Sequence, residues 1–165
     1  MKLSAIVACD HNGGIGKDNT LPWHFKEDFK HFVAETKGKT VLMGRKTFES
    51  LPSGPLPNRH NVVVTRDTSF KNKGVEVVHD LEGWIESKKE TEDEIMVIGG
   101  ADIYHQLGPK LDEFIITRIF HEYDCDTFLD VNRMREHLDH RSQKTLPHHP
   151  GDPMIIVSYY GHSYI

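Results

Sequence analysis

Short apolar runs rich in β-branched residues punctuate the chain: LSAIVA (3–8), TVLM (40–43), NVVVT (61–65), VEVV (75–78), EIMVIG (94–99), EFIITRI (113–119) and MIIVSYY (154–160). Most are continuous rather than alternating, the pattern of strands covered on both faces. Between them, segments 25–36, 45–51, 81–89 and 102–108 have helical character. Strands alternating with helices predict an α/β fold with a mainly parallel sheet. No helical stretch separates the last two runs, so the C-terminal end is expected to close the sheet as an antiparallel edge. PSGPLPN (52–58) reads as a rigid surface loop and LPHHPGDP (146–153) as a long turn. With no repeat, low-complexity tract or linker, residues 1–165 are expected to form one domain.

One segment fits neither period. GIGKDNTLPW (14–23) combines glycines and turn formers with a terminal Leu21-Pro22-Trp23 unit, between two apolar segments. It reads as a loop, and residues 16–19 are assigned to no regular element.

Composition narrows the function classes. The net charge of −5, with scattered basic residues, argues against nucleic acid as the main partner. No run approaches the roughly 20 apolar residues of a membrane span. The N-terminal MKLSAIVACDHNGG is too short for a signal peptide and ends in Asp10, so it reads as a first strand. Cys9 and Cys125, far apart and in no metal-like spacing, point to reduced thiols and a cytoplasmic protein. Twelve histidines raise the question of a metal, but HExxH is absent: the run from His121 reads HEYDC. His137, His140, His148 and His149 sit among polar residues and are expected on the surface, and no metal site is expected.

The candidate chemistry begins on the helix after the loop. At about 100° per residue, Phe25, Phe29, Phe32 and Thr36 share a side, and Asp28 falls within about 40° of Phe32. An edge aspartate facing solvent, or one stabilising the first helical turn, is the ordinary reading. The sharper one is a desolvated acid facing a pocket, with a raised pKa suited to proton handling. Glu27 points about 100° away and reads as surface.

Two glycine junctions suit phosphates. MGRKTFES (43–50) passes from a strand through Gly44 into a helix, and VIGGADIY (97–104) does so through Gly99-Gly100. Free N–H groups at such helix starts can hold an anion. Neither junction is a standard motif, since both GxxxxGK[ST] and GxGxxG are absent, and kinase-like and Rossmann readings lose their support. Thr65-Arg66, at a strand end, could meet a further phosphate or form a solvated turn.

Together these pieces resemble the dihydrofolate reductase family of the bacterial type, in order and spacing along nearly the whole chain. They are IVACDHNGGIGKDNTLPW, Asp28, MGRKTFESL, PLPNRHNVVVTR, IMVIGGADIY, and FIITRI followed by DCDTFLD. The resemblance implies a central eight-stranded, mostly parallel sheet with about four helices. It implies reduction of 7,8-dihydrofolate to tetrahydrofolate by NADPH in one-carbon metabolism and sensitivity to antifolates of the diaminopyrimidine and methotrexate types. The sequence offers no dimerisation signal, so a monomer is expected. Residues 14–23 would be the mobile lid, with Leu21 over the reacting centre and Trp23 holding an ordered water. Asp28 would be the single acid, supported by Thr117. Ile6, Val7, Ala8, Phe29, Phe32, Leu51, Leu56, Ile98 and Tyr104 would line the substrate site, and Arg59 would grip the glutamate tail. Ala8, Ile15, Gly44, Arg45, Lys46, Thr47, Val64, Thr65, Arg66, Gly99, Gly100, Ala101, Asp102, Ile103 and Gln106 would hold NADPH.

Two rivals remain at this stage. A pyrimidine reductase of riboflavin synthesis has a similar fold but would not need LPW followed five residues later by Asp28. A catalytically silent folate- or nucleotide-binding module could dispense with Asp28 and Trp23.

Overall fold

The computed structural model describes residues 1–163. Its strands are β1 (Lys2–Cys9), β2 (Gly14–Gly16), β3 (Thr40–Gly44), β4 (His60–Val64), β5 (Val75–Val78), β6 (Glu94–Gly99), β7 (Glu113–Ile119), β8 (Thr127–Phe128), β9 (Asp139–Thr145) and β10 (Ile155–Gly161). The helices are α1 (Lys26–Thr36), α2 (Arg45–Glu49), α3 (Leu81–Lys88), α4 (Ala101–Leu107) and α5 (Val131–Arg135), with a 3-10 turn at Gly108–Lys110.

Eight strands form one sheet in the order β5-β4-β3-β6-β1-β7-β10-β9, parallel from β5 to β7, while β2 and β8 form a separate antiparallel pair. Leu3, Ala5, Leu42, Val62, Val97, Phe114 and Ile116 are fully buried. That explains why these strands read as continuous apolar runs: both faces are covered. On one face, Phe25 and Phe32 at and on α1, and Phe48 of α2, pack with Ile6, Val41, Met43, Val63 and Met96. On the other, Leu81 and Ile85 of α3, Ile103, Tyr104 and Leu107 of α4 and Met134 of α5 cover Leu3, Ala5, Val7, Leu42 and Val97.

The antiparallel end differs from the expectation in depth. β10 pairs with β7, but the edge itself is β9, and α5 and β9 both lie between the last two apolar runs. All seven residues of β9 are exposed, so it carries no hydrophobic period. α5 buries only Met134. The loop also departs from its assignment. Gly14 and Gly16 pair with Phe128 and Thr127, and Lys17 bridges Thr20 around Asp18 and Asn19, both at positive φ. Asp and Asn tolerate this left-handed geometry, which suits a tight hairpin. No helix of the described residues is long and apolar enough to cross a membrane.

Candidate active site

The chain visits β1, β3, β4 and β5 before β6 returns to fill the place between β3 and β1. Such a reversal leaves a crevice beyond the carboxyl ends of the strands, the usual ligand position in open α/β sheets. The expected residues gather there. Gly44 ends β3 and Gly99 ends β6, in neighbouring strands where Met43 pairs with Gly99. Ala8 near the end of β1 pairs with Thr117 of β7, which is buried.

The two glycine junctions converge. A Cβ on Gly99 would stand 3.1 Å from the Thr47 hydroxyl, and one on Gly100 would stand 3.4 Å from it. A Cβ on Gly44 would be 3.9 Å from the Gly100 amide nitrogen. Gly99 has φ +132°, open to glycine but strained for other residues. Gly44 and Gly100 are the N-caps of α2 and α4, and neither helix has a side-chain cap. At α3 and α5, by contrast, the carboxylates of Asp80 and Asp130 accept from Gly83 and Arg133. The N-termini beside the crevice therefore remain uncapped by side chains. Lys46, Asp102 and Gln106 are exposed there.

Arg45 is engaged within the protein. Its Nη1 donates to Asp67 at 2.6 Å, its Nε donates to Glu49 at 3.0 Å, and the guanidinium lies 5.3 Å from the Phe70 ring centre. Nothing local in the sequence announces the Asp67 contact. Beyond β4, Thr65 accepts from the Asp67 amide and is half-buried, while Arg66 is exposed.

Across the crevice, Ile6, Phe32, Leu51, Leu56, Ile98 and Trp23 belong to one apolar cluster. Val7, Ile15, Val64, Ile103 and Tyr104 pack on the opposite face of the sheet. Tyr104 nevertheless reaches the site through its hydroxyl, which donates to the Ile6 carbonyl at 2.6 Å. Asp28, in the first turn of α1, is half-buried. Burial pushes its carboxyl up from 3.8 to about 6, and the Trp23 indole N–H only partly offsets this. That N–H is buried without a direct hydrogen-bond partner. It lies within electrostatic reach of the carboxylate, and a small polar molecule bonded to both would satisfy it.

The wheel misjudged part of α1. Thr36 is buried as expected, but Phe29 is 67% exposed, while His31, which the wheel did not select, is buried. His31 meets Tyr159 of β10 edge-on, and the Tyr159 hydroxyl donates to Glu35. These helix-to-strand contacts, invisible to periodicity, bury His31 against the sheet, while Phe29 on the edge of the apolar stripe stays exposed. Leu21 is also exposed, at 49%. At the end of α1, the buried Thr36 hydroxyl accepts from Arg59 Nε at 2.8 Å, and Arg59 Nη1 donates to the Pro57 carbonyl. Burial lowers the Arg59 pKa. No acidic partner is paired with Arg59 among the described residues, so its fork is held in place with donors to spare.

The segment from Gly14 to Trp23 is tied at the root and at the tip of its hairpin. Asp126 donates its amide to the Gly16 carbonyl and accepts from the Asp18 amide, both at 2.9 Å. Asn19 donates to the Lys46 carbonyl, joining the hairpin tip to α2. Asp10 and Tyr123, which the sequence reading did not select, hold the root of this segment. The available signal was a lone acid closing the β1 apolar run just before two glycines.

These features define an α/β protein with a half-buried acid whose carboxyl is raised by burial, and with two uncapped glycine junctions brought together at the ends of β3 and β6. The dihydrofolate reductase family model matches residues 2–154, and the chain belongs to that family. It is 44% identical over 127 residues to dihydrofolate reductase type 3 of Salmonella typhimurium, covering 77% of each chain. It is 43% identical over 128 residues to dihydrofolate reductase of Staphylococcus aureus, covering 78% of this chain and 77% of the relative. Among solved structures, dihydrofolate reductase from Enterococcus faecalis complexed with NADP(H) and RAB-propyl aligns with a TM-score of 0.86. The identity is 30%, over 97% of this chain and 95% of that one.

Proposed function

We propose that this protein reduces 7,8-dihydrofolate to tetrahydrofolate with NADPH, acting as a single-domain, monomeric cytoplasmic enzyme of one-carbon metabolism. The observation that carries the reading is Asp28, an acid raised to about 6 by burial beside the buried Trp23 of the apolar cluster, in a fold whose two glycine junctions converge. NADPH supplies the hydride. The junctions fit its pyrophosphate, because the glycines leave open the space a Cβ would fill and the helix starts carry no side-chain cap. Thr65 and Arg66 would read the ribose 2′-phosphate.

Asp28 accepts hydrogen bonds from the pterin N3 and 2-amino group and so fixes the ring. Thr117 supports that network, and Ile6, Phe32, Leu51, Leu56 and Ile98 pack against the pterin and its benzoyl extension. The spare Arg59 donors match the α-carboxylate of the glutamate tail. Leu21 and Phe29, exposed at the crevice, are covered when substrate binds and the lid closes. Protonation of N5 comes from a water held between Trp23 and Asp28, which accounts for the unpartnered indole N–H. Diaminopyrimidine and methotrexate-type antifolates, with amino groups facing the carboxylate, would compete for the same pocket.

Absorbance at 340 nm with dihydrofolate and NADPH tests the reading. Oxidation of NADPH that depends on both dihydrofolate and Asp28 is expected. Absence of turnover in the wild-type protein would overturn it.

A further inference from the structure

The orientation of Trp23 needs a cause. Its indole N–H makes no direct hydrogen bond beyond its electrostatic contact with Asp28, and the residue is 3% exposed, so ring packing must help set its orientation. A main ring contact comes from a segment a hundred residues away. The Tyr123 ring lies 5.2 Å from that of Trp23, tilted by 49°, and His121 backs Tyr123 at 4.6 Å.

Tyr123 is itself tied down. Its amide donates to Asp10 Oδ2 at 2.9 Å. The same carboxylate accepts through Oδ1 from the amides of Gly14 at 2.8 Å and Asn12 at 2.9 Å. The Cys125 thiol adds a longer contact at 3.7 Å. Asp10 is 1% exposed. Burial acts to raise its pKa, but the amides of Tyr123, Gly14 and Asn12 and the Cys125 thiol outweigh that and keep it below the usual carboxylate range. Besides Asp10 and His121, the charged group facing Tyr123 is Asp152.

The junction has no slack. A Cβ on Gly14 would fall 2.5 Å from Cys125 Sγ and 3.0 Å from Asp10 Oδ1. The lid root and the 121–126 segment are therefore in direct contact, with Asp10 clamped between them.

We propose that Tyr123 is the positioning residue that aims Trp23 at Asp28, with Asp10 as the anchor that fixes Tyr123 and the lid root in one frame. The proposal rests on the reading of Trp23 and Asp28 given above. It makes proton delivery depend on a residue that touches neither substrate nor cofactor.

The test uses a Trp84→Phe background, in which Trp23 is the only tryptophan. Tyr123→Leu keeps bulk but removes the ring. It should red-shift Trp23 emission, lower its anisotropy and slow single-turnover hydride transfer about ten- to a hundred-fold, while the Kd for NADPH changes less than about twofold. Tyr123→Phe should match the parent. Tyr123→Leu combined with Trp23→Phe should be no slower than Trp23→Phe alone, because both act through one ring. Asp10→Asn keeps the shape but sets a donor against the amides it must accept, and should shift Trp23 emission the same way.

Unchanged emission and hydride transfer in Tyr123→Leu would overturn the proposal, as would fully additive effects in the double variant. Unchanged emission in Asp10→Asn would remove Asp10 as the anchor. A fast Trp23→Phe enzyme would sink the reading of the site and this proposal with it. A slow Trp23→Phe beside a fast Tyr123→Leu would sink this proposal alone.

Discussion

The two walls of the crevice are built by different means. The α1 wall uses side chains: Asp28 beside Trp23 of the apolar cluster, and Arg59 held by Thr36 and Pro57. The opposite wall is mostly main chain, with glycines at the ends of β3 and β6 and helix starts without side-chain caps. A side-chain wall concentrates its energy in a few atoms and is easily broken by substitution. A main-chain wall spreads it over amides that only proline removes, and it is vulnerable mainly there and where a Cβ would intrude.

The largest effect that tests this contrast is at Asp28. Asp28→Asn should cost about 10²–10⁴-fold in hydride transfer at neutral pH, with partial recovery at low pH, and leave the NADPH Kd unchanged. Stability should move the opposite way. Burial raises the folded pKa to about 6 from 3.8, so the ionised carboxylate destabilises the fold. That cost is absent below the unfolded value, grows as pH rises through the interval, and is complete above about 6. The variant should therefore be about 2–3 kcal/mol more stable in denaturant titrations at pH 7.5, a gain that shrinks towards pH 4.

Arg59→Ala should follow. Loss of a charge-assisted contact of about 1.5–3 kcal/mol should raise the KM for dihydrofolate with little change for NADPH. Equal effects on the two would place Arg59 outside the substrate wall.

On the other wall, Thr65→Val with Arg66→Ala should weaken NADPH by about 1–3 kcal/mol and leave NADH nearly unchanged. This contact is exposed, so the preference for NADPH should shrink as salt rises, the Debye length being about 10 Å at 0.1 M. The smallest effect belongs to a helix start that is already filled. Asp80→Ala should lower stability by about 1 kcal/mol in thermal melts and leave both KM values as they were. A change in either KM would mean that the capped helices are not separate from the ligand walls.

How far the sequence foretold these walls depends on whether the cause was local. β1, β3, β4, β6 and β7 announced themselves because each is covered on both faces. β9 did not, since DHRSQKT gains its place only by pairing with β10. Asp28 was legible as a charge beside an apolar stripe, and the junctions as glycines between strand and helix. His31 in place of Phe29 was not, because Tyr159, far along the chain, decides which face of α1 is buried. The engagement of Arg45 with Asp67 and the Asp10–Tyr123 clamp escaped for the same reason: their partners are distant in sequence.

The exposed β9 has a consequence for how molecules meet one another. A sheet edge offers free amides and carbonyls to any other chain that can align with it. Here that edge presents Asp139, Arg141 and Lys144 to solvent, and its register against β10 shifts at Tyr159/Tyr160. An incoming strand would have to accommodate those charges and follow an irregular edge, which disfavours growth of the sheet at β9. The strand least visible in the sequence thus guards one open edge of the sheet with charge and irregularity.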